Sequence, residues 1–95
     1  MQFAEFLKCL EADTPPPGLT INLKALWLDG IGDWQAAHAS IDSIEHKDAY
    51  WVHAYLHRKE GDIWNADYWY RRAGKTRPAI TLQDEWTMIA KALLQ

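Results

Sequence analysis

Two Gly-Asp pairs, Gly32-Asp33 and Gly61-Asp62, are followed by the same ordering of residue sizes, and this limits the chain more than any other feature. Four residues beyond each Asp stands a small residue, Ala37 or Ala66; four further on comes a large one, Ile41 or Tyr70; three more brings Ile44 or Ala73. Steps of three and four mark one face of a helix, so each pair reads as a turn feeding an amphipathic helix. A turn-and-helix unit that recurs points to stacked helical hairpins.

The rest of the chain continues that pattern. Phe3, Phe6, Leu7 and Leu10 form one apolar stripe, so residues 1–13 read as an amino-terminal helix, ended by Thr14-Pro15-Pro16-Pro17-Gly18 because proline lacks the N–H donor and disfavours helix before it. That helix is expected either to dock on the remainder or to form a detachable arm. Residues 20–45 carry a first hairpin, with one helix up to Asp29 and a second capped by Asp33 and ending between Ser43 and His46. Residues 48–78 carry a second hairpin, with Asp48 and Asp62 as the expected caps and Asp67 paired to Arg71. Residues 81–95 give a last helix, with Leu82, Trp86, Ile89, Ala90 and Leu93 facing inward. No segment alternates like a strand, so the expected fold is all-α, with about six helices in one domain.

The second hairpin resembles the tetratricopeptide repeat. Tyr50, Ala54, Gly61, Ala66, Tyr70, Ala73 and Pro78 stand in that family's order, and the ending NADYWYRRAG is also similar to the Sel-like branch of helical repeats. The string HAYLHRKEGD with NADYWY is similar to short microbial proteins to which no activity is attached. The first hairpin keeps Ala25, Gly32 and Ala37, but has Lys24 at an apolar position and no closing proline. The resemblance implies antiparallel hairpins stacked as a short right-handed superhelix that binds a protein or peptide. The family's groove positions fall here on Trp51, Tyr55, Arg58 and Lys59, with Asn22, Leu26 and Asp29 from the first hairpin. Cations beside aromatics suit an acidic or carboxylate-bearing peptide. The alternative is that the flanking helices fill this groove.

A second candidate is the arc of His53, His57 and Glu60, whose helical spacing suits a divalent metal such as zinc. Ala54 follows His53, so the metalloprotease signature, which needs Glu there, is absent. The competing explanation places both histidines at a helix interface as packing residues. Neither a phosphate loop nor a nucleophile elbow is present, so catalysis is not the leading expectation and would need residues brought together by the fold, such as His38, His53, His57, Glu60 and Asp62; no cofactor is implied.

Composition narrows the partners further. Acidic residues exceed basic ones, 13 to 10, so general nucleic-acid affinity is not expected, although Trp64, Tyr68 and Trp69 lie among basic residues as on base-stacking surfaces. The single Cys9 excludes an internal disulfide, and no apolar run reaches a membrane span, so a cytoplasmic protein is expected. Two hairpins are short for a free-standing solenoid, which makes dimerisation through an end helix a further expectation.

Overall fold

Side-chain oxygens set most of the helix starts. The computed structural model describes all 95 residues and contains no strand: α1 (Phe3–Lys8), α2 (Ile21–Gly30), α3 (Trp34–Ile41), α4 (Lys47–Lys59), α5 (Ile63–Ala73) and α6 (Leu82–Leu93), with a 3₁₀ turn at Cys9–Glu11 extending α1. Thr20, Asp33, Asp62 and Thr81 accept the backbone N–H groups of Leu23, Ala36, Asn65 and Asp84 at 3.0–3.3 Å. Each such cap contributes about 1 kcal/mol.

Two boundaries differ from the sequence expectation. Asp48 does not cap α4; His46 does, its Nδ1 accepting the Asp48 N–H at 3.1 Å. The helix begins two residues earlier than an Asp48 cap would set it, so Asp48 lies in the first turn, where its carboxylate faces the positive end of the helix dipole. Helix α3 correspondingly stops at Ile41, short of Ser43.

The two Gly-Asp turns carry the same bonds. Asp33 N–H donates to the Leu28 carbonyl and Asp62 N–H to the His57 carbonyl, both at 2.9 Å. Gly32 and Gly61 hold φ of 93° and 88°, a left-handed conformation open to glycine at no steric cost. Each turn therefore folds the next helix back along its predecessor.

Helix α4 is the centre of the molecule and packs against α2, α3, α5 and α6. Its residues from Trp51 to His57 are all buried, so it has no solvent face along two turns. A helix apolar on nearly every side must be surrounded, and here four neighbours do so.

The amino-terminal helix is docked. Phe6 is fully buried and stacks on Trp86 at 5.8 Å, while the Trp27 indole N–H donates to the Cys9 carbonyl at 2.9 Å. Gly30 makes this approach possible, because a Cβ there would lie 2.7 Å from Leu10 and 3.2 Å from Trp86. The radius of gyration is 12.3 Å, close to the roughly 12.4 Å of a compact chain this long. No helix is long and apolar enough to cross a membrane.

Candidate functional site

Helix α6 covers the predicted peptide groove, which alters the reading of all four of its residues. Trp51 and Tyr55 are only 8% and 2% exposed. Tyr55 donates its hydroxyl to Asp29 Oδ2 at 2.9 Å, and Lys59 Nζ meets Asp29 Oδ1 at 2.9 Å. Arg58 donates Nη1 to Glu85 Oε1 at 2.8 Å and Nη2 to the Ile80 carbonyl. The acids that Arg58 and Lys59 contact thus belong to the chain itself.

Both internal acids also hold tyrosines. Tyr70 donates to Glu85 Oε2. Burial, reinforced by the adjacent carboxylates, pushes the Tyr55 and Tyr70 hydroxyls far above the usual tyrosine range, so both remain donors. What is left beside Asp29 is a cleft of about 110 Å³ lined by Leu10, Gly30, Gln83 and Trp86 together with Tyr55 and Lys59. Small-molecule pockets start near 300 Å³, so this one suits a few waters.

The histidines gather with one residue that the sequence arc did not include. His53 and His57, one turn apart on α4, meet His38 from α3, and a ligand nitrogen of each lies within 4.8 Å of the others. His38 Nε2 and His53 Nε2 are 3.1 Å apart and share a hydrogen bond. Glu60 bonds Nδ1 of His57 at 2.6 Å and so fixes that ring. Glu60 also forms, with His57 and Asp62, a second donor cluster toward the surface. Indoles brace the rings: Trp69 stacks on His53 at 4.0 Å and Trp34 on His38 at 5.0 Å. The sequence offers His38 only as one of several residues a fold could bring together, because its approach to His53 and His57 depends on how α3 leans on α4.

Burial, then the neighbouring His57, His38 and Arg72, lower the His53 pKa from 6.5 to about 3. The unfolded chain takes up this proton near pH 6.5 and the folded chain only near pH 3, so acid favours unfolding. This stabilising contribution is complete above about pH 6.5 and is lost progressively as the pH falls toward 3. Urea midpoints measured in chelator should therefore drop between about pH 7 and pH 5, a window in which ordinary carboxylates stay ionised. A flat profile there would contradict a neutral His53.

The outer face of α5 is the other concentration of chemistry. Trp64 is 78% exposed and Tyr68, one turn on, is 39% exposed. Exposed Arg71 continues the line at i+7 from Trp64, whereas Lys75 lies past the left-handed Gly74 and sets its ammonium 4.2 Å from the Trp51 ring centre. Beside this line the Arg72 guanidinium sits 4.4 Å from the Tyr50 ring centre and 4.9 Å from that of Trp69. Asp67 does not pair with Arg71; Arg77 Nε takes it at 2.8 Å, reaching back from beyond the helix, and holds its carboxyl below the usual range. Arg71 is left without an ion pair.

Comparisons with family models, curated proteins and solved structures find no match to this chain.

Proposed function

We propose that the protein works by binding another protein, and that the outer face of α5 makes the contact. The observation that carries this reading is Trp64, the one tryptophan of six that the fold leaves in water, aligned with Tyr68 and Arg71. Tryptophan, tyrosine and arginine are the residues on which interface energy concentrates. The covered groove no longer serves this role, since Trp51 and Tyr55 are spent on the core and Arg58 and Lys59 on internal acids.

Charge defines the partner. Residues 49–95 carry seven basic and five acidic side chains, whereas residues 1–48 carry three and eight, so the exposed aromatics lie in the basic half of an acidic chain. An acidic segment bearing an apolar anchor fits such a face, with Arg71 as the unpaired cation that meets a carboxylate. This agrees with the binding role that the tetratricopeptide resemblance implies.

The test compares the proteins retained from native lysate by wild type, by Trp64→Ala/Tyr68→Ala, and by a control altered at another exposed apolar residue, Leu7→Ala. Wild type and control should retain a common salt-sensitive partner that the double variant loses. Identical recoveries from all three would sink the reading. The double variant should lose only about 1 kcal/mol relative to wild type, the worth of the edge-on contact that Tyr68 makes with Trp69 at 5.1 Å, and should remain folded.

A further inference from the structure

We propose that His38, His53 and His57 form a binding site for a borderline transition-metal ion, zinc above all, with Glu60 as the residue that positions His57. The inference is independent of the α5 face, since it concerns the floor between α3 and α4.

The donor set selects the ion. Imidazole suits zinc, copper, iron and nickel, while magnesium and calcium require oxygen ligands. Nitrogen ligands on tetrahedral zinc at about 2.05 Å lie roughly 3.3 Å from each other. His38 and His53 already bring their Nε2 atoms to 3.1 Å, and the His57 donor lies within 4.8 Å of both. Closing the site requires the His57 donor to approach the other two by up to about 1.5 Å.

Several features go beyond what packing histidines require. Glu60 occupies Nδ1 of His57, which leaves Nε2 as the nitrogen with a lone pair to give; a carboxylate behind a ligating imidazole is the usual orienting partner at metal sites. Trp69 and Trp34 hold the other two rings by stacking and limit their rotation. Without metal, one proton lies between the Nε2 atoms of His38 and His53. Binding moves it to the Nδ1 of the ring that holds it, a tautomer shift that requires no net proton release. Three protein ligands leave a fourth position for water or a group from outside, as at sites that act on what they bind.

The experiment uses chelator-stripped full-length protein titrated with zinc chloride by calorimetry, with thermal unfolding measured alongside. One zinc per chain should bind. The melting temperature should rise by about 10 °C or more with zinc at a hundredfold excess over its Kd. His38 is only half-buried, so His38→Ala should fold, and its zinc affinity should fall at least about a hundredfold. Glu60→Gln should weaken binding about 10–100-fold without abolishing it, as loss of an orienting partner does. Cobalt substituted for zinc should give the visible absorption of a nitrogen-rich tetrahedral site in wild type and lose it in His38→Ala. Absence of stoichiometric binding overturns the proposal. Full affinity in His38→Ala, or complete loss in Glu60→Gln, also overturns it, by assigning the ion to the His57, Glu60 and Asp62 side.

Discussion

Glu85→Ala should destabilise the fold by about 3–5 kcal/mol, the cost of breaking a buried pair at one partner. Glu85 is fully buried and accepts from Arg58 and Tyr70, which come from two different helices. Its removal leaves the Arg58 guanidinium, itself mostly buried, and the Tyr70 hydroxyl without their acceptor. In a domain this size the melting temperature should fall by roughly 12 °C or more. Glu85→Gln keeps one of the two acceptor oxygens and puts an NH2 donor in place of the other, so it gives up the charge and one hydrogen bond but leaves no cavity, and its cost should be about 1–3 kcal/mol. Replacing Arg58 and Glu85 together by Met and Leu should cost less than Glu85→Ala alone, because no charge is then stranded. A Glu85→Ala variant within 1 kcal/mol of wild type would show that water reaches the pair and that α6 is not clamped as described.

Trp86→Ala should cost a similar amount, about 3–5 kcal/mol, through lost packing and the cavity left behind. The indole stacks on Phe6, meets Phe3 edge-on at 6.2 Å, and donates its N–H to the Leu26 carbonyl at 3.0 Å. It thereby joins α1, α2 and α6 at one point. Trp86→Phe keeps the stacking and loses the hydrogen bond, so about 1–2 kcal/mol is expected. The loss should also be localised: α1 should release first, exposing the Lys8 peptide bond to trypsin before the bonds of α4 and α5 are cut. Equal protection of Lys8 in variant and wild type would mean that α1 is held by something other than Trp86.

Helix identity was legible because it depends on local chemistry. Asp33 and Asp62 are caps by residue type, the inward stripe of α6 is a spacing, and the prolines punctuate. The all-helical class and the number of helices followed. His46 was missed as a cap because its ring nitrogen mimics a role usually given to oxygen side chains, and the nearby Asp48 offered a more familiar solution.

Partner choice was much less legible. Periodicity shows that α4 is apolar on nearly every side, but not whether a neighbouring helix or a foreign protein covers Trp51 and Tyr55. That answer depends on Glu85 and Asp29, each 26–30 residues from the groove side chain it contacts. The same limit applies to the histidines: the helical arc gave His53, His57 and Glu60, but it could not supply His38 from another helix. Arg77 displaces Arg71 at Asp67 only because the chain turns back after Ala73, and spacing along one helix cannot anticipate that.

The burial of α4 on every side also matters before the molecule is complete. During synthesis α2 and α3 are already outside the ribosome when α4 emerges, but α5 and α6 are not. The last covering helix ends 34 residues after Lys59, which at 5–20 residues per second is a delay of about 2–7 s. Until α5 ends at Ala73, Trp51, Tyr55 and Val52 have two of the four covering helices, and until α6 ends at Leu93 they have three. The feature that makes α4 the most protected helix of the finished protein makes it the most exposed hydrophobic segment of the unfinished one, and the natural place for a holding chaperone to bind.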